Sequence, residues 1–405
     1  MQFLNVNLRL PKNCRKAVRI FIWMAISLLL NTVAAKTYYV SISGNDHNPG
    51  TLKNPFQTWE RLSSVLQPGD TGFIRGGKYS GFNGTLSAFC NWSGLKGTAK
   101  KPVVISAYPG ENPIMDCRGV HVVYPNPTAL LIEDCDYVQI IGLRITGLGQ
   151  IADGSGLSRG LELRNASHNK IERCEIDNIG GYGFIVGENS NYNHFLNCDA
   201  HHISDPFTQG GAWGNANGFQ CTGNTRTRGT VFEGCRAWWI SDDGFDLYGV
   251  GGDFSFKRCW AFWNGFQPGT FIPAGDGDGF KLGPSPEGYR CDSISRKLIS
   301  CVAAGNLGSG FDQNKGNFRF AFISNISQGN GSYGFMFDYV NPAPPQVFEN
   351  NSSRHDRHSR RGKETNGKAN SWETGKSYKK LDIHSLSRPR RSDGGLPEIS
   401  FFREF

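Results

Sequence analysis

The chain has 405 residues, 38% of them hydrophobic and 12% aromatic, with 52 glycines. That length can bury a large core in one long domain as readily as in two, and the glycine and aromatic content fits a turn-rich β architecture rather than a helical one. The net charge of +8 is uneven: residues 1–35 carry five basic and no acidic groups, residues 351–405 carry 13 Lys/Arg against 7 Asp/Glu, and residues 36–350 carry 25 against 28, so the middle of the chain is mildly acidic and speaks against a nucleic-acid partner, which needs a basic folded face.

At the start, Arg9, Lys12, Arg15, Lys16 and Arg19 precede an apolar run from Ile20 to Leu30, followed by the small residues Val33-Ala34-Ala35. The run is short for a membrane span, so residues 1–35 read as a secretory leader cleaved after Ala35. The mature chain is then expected to have no membrane span, to be secreted or periplasmic, and to act as a monomer. Residues 36–115 read as an N-terminal cap and the first coils of a solenoid. Within them FQTWERLSSVL, residues 56–66, is an amphipathic helix that would cover the open end, since an uncovered stack presents unpaired strand edges.

Two echoes then mark a repeat. A Gly-apolar pair recurs at Gly160-Leu161, Gly183-Phe184, Gly218-Phe219, Gly244-Phe245, Gly279-Phe280, Gly310-Phe311 and Gly334-Phe335, in steps of 23, 35, 26, 35, 31 and 24 residues. The phrases IERC (171–174), FLNC (195–198), FEGC (232–235), FKRC (256–259) and LISC (298–301) recur between the pairs. Alternating runs such as YVQIIGLRI (137–145) and LELR (161–164) supply half-buried strands, and Asn and Gly supply the corners. The pattern predicts an all-β parallel β-helix over residues 36–350, one coil per repeat, with longer steps carrying inserted loops such as 204–216 and 266–276. Cys174, Cys198, Cys235, Cys259 and Cys301 share one repeat position and are expected as a buried thiol ladder; a Cys90–Cys117 pair is left open.

Aligned on the Gly-Phe pair, Asn217, Asp243 and Asp278 fall in one column, and Asp246, Lys281 and Asp312 fall in another. Neighbours in a column of a parallel stack lie about 4.8 Å apart. Asp242, Asp243, Asp246 and Asn217 thus supply three carboxylates and an amide oxygen, a donor set suited to Ca²⁺. Acidic residues in a glycine-rich turn are equally compatible with turn caps, and Lys281 with a structural ion pair. The final stretch, 351–405, is basic and polar, and is expected to lie along the solenoid or to stay partly disordered.

The phrases NANGFQ (215–220), CRAWWISDDGFDLYG (235–249), CWAFWNG (259–265), GDGFKLG (277–283) and GFDQN (310–314) resemble those of polysaccharide lyase family 9. So do the entry YYVSISGNDHNPGTLKNPFQTW (38–59) and the closing DGGLP and FFR. The resemblance implies a right-handed, pectate-lyase-type β-helix and Ca²⁺-dependent β-elimination on an acidic plant cell-wall polysaccharide, pectate or rhamnogalacturonan. By position Asp242, Asp243 and Asp246 match the calcium aspartates and Lys281 matches the Brønsted base. The sequence departs from the family at Asn217, which stands where the first calcium aspartate is expected, and at Lys315, within an asparagine run. Two other readings are a β-helical hydrolase in which Asp242 and Asp243 activate water, and a non-catalytic carbohydrate-binding β-helix.

Overall fold

The structure is a computed structural model and describes residues 34–81, 87–223, 227–286, 294–337, 346–362, 366–376 and 378–399. The expected leader, residues 1–35, lies outside the described residues except for Ala34 and Ala35, and so does the FFR phrase. No helix among the described residues is long and apolar enough to cross a membrane.

From Thr37 onward the chain winds as a right-handed parallel β-helix with three parallel sheets. One coil shows the plan. Thr230–Glu233 runs in the first sheet, Arg236–Ile240 in the second and Phe245–Tyr248 in the third, and the next coil repeats this with Phe254–Lys257, Trp260–Phe262 and Phe280–Lys281. The register keeps like on like: Phe232 pairs with Phe256, Ala237 with Ala261 and Phe245 with Phe280.

The Gly-Phe pairs and the Cys phrases are what hold that register. In the third sheet Phe184, Phe219, Phe245, Phe280, Phe311 and Phe335 stack face to face, with ring centroids 4.7–5.0 Å apart. Each buried ring contributes roughly 1.5–3 kcal/mol by leaving water, and offset stacking adds a little more. The glycine before each ring is a matter of space. A Cβ on Gly218 would lie 2.6 Å from the carbonyl oxygen of Gly244, and one on Gly244 would lie 2.8 Å from that of Gly279. Backbones approach too closely there for any side chain.

The corner from first to second sheet needs only one left-handed residue, as at Arg173, Asn197, Arg258 and Ser300, followed by the cysteine. The expected thiol ladder is present: Cys174, Cys198, Cys235, Cys259 and Cys301 are free and buried, as are Cys90 and Cys117, which do not pair. At Asn325, Asn351 and Asn370 the same column changes to asparagine. Here each Oδ1 accepts the backbone N–H of the residue one coil earlier (Cys301, Asn325 and Asn351) at 2.9–3.0 Å. A ladder of this kind satisfies buried backbone donors that a thiol leaves to others.

Both ends differ from the sequence expectation. The capping helix is limited to Trp59–Ser63, N-capped by Thr58, because Phe56 is drawn into a bridge with Val40. The solenoid does not stop at 350. Strands Ser352–Arg354, His358–Arg361 and Asn366–Lys368 extend the three sheets, carried past that point by the asparagine column and by Phe348, stacked on Phe322. The described part of the tail, 378–399, then lies along the outside of the second sheet. Its Leu381, Leu386 and Ile399 pack against Trp238, Trp260, Phe262 and Ile326.

Candidate active site

The outward face of the third sheet carries the charged residues, and inserted loops between the second and third sheets wall it. The loop after Ile203 is gathered by buried Asp205, which accepts from Thr208 Oγ1 at 2.7 Å and from Ser241 Oγ at 3.2 Å. The loop before Phe280 docks on Ser241 and Asp242: Gly275 N–H donates to Ser241 O at 2.8 Å, and Asp276 N–H to Asp242 Oδ1 at 2.7 Å. Between these walls runs a groove of about 650 Å³, lined among others by Arg159, Tyr182, Asn217, Asp242, Asp246, Tyr248 and Lys281. A second cavity of about 680 Å³ lies between the tail and the second sheet, lined by Trp260, Ile326, Leu396 and Ile399. It lacks the cluster of carboxylates that lines the groove.

Both expected columns form. Gln220, Asp246, Lys281, Asp312 and Met336 are aligned strand to strand. In the other column each side chain caps the next coil. Asn217 Oδ1 accepts Asp243 N–H at 3.1 Å, Asp243 Oδ1 accepts Asp278 N–H at 2.7 Å, and Asp278 Oδ1 accepts Ser309 N–H at 2.6 Å. Asp243 therefore serves as turn cap and as site residue at once. Its other oxygen accepts Lys281 Nζ at 2.9 Å, and Asp276 from the inserted loop adds a weaker contact at 3.4 Å.

The charges do not balance. Asp242, Asp243 and Asp246 are all buried around one lysine. Burial and the neighbouring Asp243 push Asp242 up to about 9, and the same two causes raise Asp246 well above the carboxylate range. Burial alone would lower Lys281, but Asp243, Asp246 and Asp242 together hold its ammonium above the usual lysine value. Asp246 Oδ1 is buried and has no hydrogen-bond partner. Like charges held out of water with an orphaned oxygen call for a further cation, and an all-oxygen donor set is what Ca²⁺ takes. The carboxylates Asp242, Asp243 and Asp246 fit that ion chemically.

Asn217 is placed beside them but turned away. Its amide nitrogen, not its oxygen, faces the cluster, 3.2 Å from Asp246 Oδ2 and 2.5 Å from Gln220 Oε1. Presenting the oxygen would require the amide to rotate and give up the Asp243 N–H. Among the described residues, the trio of potential ligand atoms drawn within 4.8 Å is a different one, Glu175, Asp177 and His201. Arg144 Nε already sits on that trio, 2.8 Å from Asp177 and 3.3 Å from Glu175, and supplies its positive charge. The groove also contains Tyr182 and Gln220, which continue the two columns one coil earlier, and the Arg159–Glu162–Arg164 strand, which the repeat pattern does not single out. Asp276 ends the expected inserted loop 266–276, and no repeat position marks it as a partner of Lys281. Lys315 is exposed and does not line the groove.

Comparison with known proteins agrees with this fold. The family described as Pel9A-like, right handed beta helix region, matches residues 38–376. Pectate lyase L of Dickeya dadantii (strain 3937) is 30% identical over 382 residues, covering 91% of this chain and 83% of that protein. Among solved structures, a rhamnogalacturonan lyase aligns with a TM-score of 0.80 at 27% identity, covering 91% of this chain and 96% of its own. The pectate lyase Pel9A aligns with a TM-score of 0.72, also at 27% identity, covering 92% and 90%.

Proposed function

The chain belongs to the Pel9A-like right-handed β-helix family, of the polysaccharide lyase family 9 type, and from that premise we propose that it cleaves a galacturonate-containing pectic polymer by β-elimination, with Lys281 as the base. It is a polysaccharide lyase. The observation that carries the residue assignment is the groove floor, where Lys281 Nζ lies 2.9 Å from Asp243 among three buried carboxylates, one with an unpartnered oxygen.

Asp242, Asp243 and Asp246 would hold Ca²⁺, and Asn217 would join them by rotating its amide. When bound, the ion supplies the positive charge that neutralises the substrate carboxylate next to the C5 proton. The residues of the chain do the rest. With the aspartates holding the cation, their hold on the Lys281 ammonium would weaken, and the amine would reach its neutral form more readily. Neutral Lys281 takes the C5 proton. The C5–H electrons become the C4–C5 double bond, the C4–O bond breaks, and the departing oxygen takes a proton from water. The products are an unsaturated uronide and a new reducing end.

Support for the hydrolytic alternative is weaker, since both oxygens of Asp243 are taken by the Asp278 N–H and Lys281 Nζ, which leaves Asp242 without a paired carboxylate to orient water. Export through the leader at 1–35, and action as a monomer on polymer outside the cytoplasm, belong to the same proposal. The test is to follow ultraviolet absorbance of the unsaturated product on polygalacturonate and on a rhamnogalacturonan backbone, with Ca²⁺ and then with chelator. The expected result is absorbance that appears with Ca²⁺ and stops with chelator. New reducing ends without absorbance would show hydrolysis instead.

A further inference from the structure

The far end of the groove carries a second ionic group that the elimination chemistry does not use. Arg159, Glu162 and Arg164 lie on Ser158–Arg164, in the same sheet as Lys281. From Glu162 the register runs through Ile185, Gln220 and Asp246 to Lys281, four strand steps or roughly 19 Å. Glu162 is buried and fixed from below by Thr128 Oγ1 at 2.9 Å. Arg159 Nη1 donates to its Oε2 at 2.8 Å, and Arg164 Nη2 to its Oε1 at 3.0 Å. One carboxylate thus anchors two guanidiniums, and both line the groove. Arg159 Nε is buried with no partner. The guanidinium itself lines the groove and commits Nη1 to Glu162, and a guanidinium fork matches a carboxylate. Glu133 and Glu188 stand nearby, so the local net charge is not positive, and selection here rests on the directed donors of Arg159 rather than on a broad field.

We infer that Arg159, braced by Glu162 and flanked by Arg164, is a distal subsite for a uronate carboxylate of the same polymer chain whose bond is cleaved at Lys281. The inference rests on the lyase reading for its substrate class. The separation spans several sugar units, so only an oligomer long enough to cover the groove engages both ends, and the enzyme favours long chains over short ones.

The experiment measures binding of oligogalacturonates of increasing length by calorimetry, with Ca²⁺, to full-length Lys281→Ala protein, in which turnover is slowed. Affinity is expected to rise once the oligomer spans the groove. Adding Arg159→Ala should remove that gain, on the order of ten-fold, and Arg159→Lys should restore part of it. The lysine variant also keeps an ion pair with Glu162 if the alanine variant folds poorly. In the active protein, the ratio of kcat/KM for polymer over that for a short oligomer should collapse toward one when Arg159 is changed. A length-dependent gain that survives both substitutions overturns the subsite while leaving the lyase reading intact. If the unmodified protein forms no unsaturated product, yet the gain is present and depends on Arg159, the lyase reading fails and the subsite stands.

Discussion

Two buried ionic clusters sit on different sheets of this solenoid, and only one of them is complete. On the second sheet, Asp199 is clasped by two guanidiniums. Arg236 reaches it at 2.6 and 2.8 Å and Arg390 at 2.5 and 2.9 Å, while the spare arginine donors go to the carbonyls of Leu386, Arg388, Cys198 and Gly234. Both oxygens of the carboxylate are used, so the clasp pins the tail to the solenoid. On the third sheet, three carboxylates share one lysine and an oxygen is orphaned. Similar ingredients thus serve opposite ends. A cluster that satisfies itself is architecture, whereas one that leaves charge and donors unmet is poised to bind something.

The largest effect expected from this contrast is at Lys281. Lys281→Ala should lower elimination by roughly 10²–10⁴-fold, the usual share of a general base, with cation binding kept or improved because a competing ammonium is gone. Steady-state rates and calorimetry check both halves. Asp199→Ala should instead leave two buried guanidiniums unpaired and cost about 3–5 kcal/mol, read by denaturant unfolding. A loss below about 1 kcal/mol would place the clasp with ordinary surface pairs.

Asn217→Asp comes next. An aspartate there can keep one oxygen on the Asp243 N–H and turn the other to the cluster, so Ca²⁺ affinity should rise on the order of ten-fold with ligand charge. In chelator the same variant should be less stable than the parent, since it adds a fourth like charge. Weaker Ca²⁺ binding would show that Asn217 serves the turn alone.

The smallest effect is in acid. Burial would raise the Asp199 carboxyl, but Arg390 and Arg236 hold it well below the usual carboxylate range. Its contribution to stability is therefore full above the unfolded value near 3.9 and is lost as pH falls toward the folded one. Below about pH 4 the tail should become a better protease substrate, and Asp199→Asn should flatten that dependence.

Much of this was legible because the solenoid writes its register into the sequence. Gly-Phe marks where backbones touch, and the cysteine marks a corner, so counting between them yields both columns of the site. The asparagine column escaped for a physical reason. Asn at a corner reads as a turn former, and only stacking shows Asn325, Asn351 and Asn370 taking over from the thiols and carrying the sheets beyond 350. The clasp escaped because Asp199 and Arg390 lie 191 residues apart with no repeat relating them. Asp276 escaped because inserted loops obey no period. At Asn217 the residue type suggested an oxygen ligand, while the backbone donor of Asp243 decides which end of the amide faces the groove.

On the proposed mechanism Lys281 is only provisionally paired, and cation binding frees it. Its titration can be followed directly by NMR of isotope-labelled lysine, assigned with Lys281→Arg, across alkaline pH in chelator and in Ca²⁺. The account predicts that Lys281 stays protonated to unusually high pH in chelator and that Ca²⁺ lowers its titration midpoint. A midpoint that Ca²⁺ leaves unchanged, or raises, would contradict it.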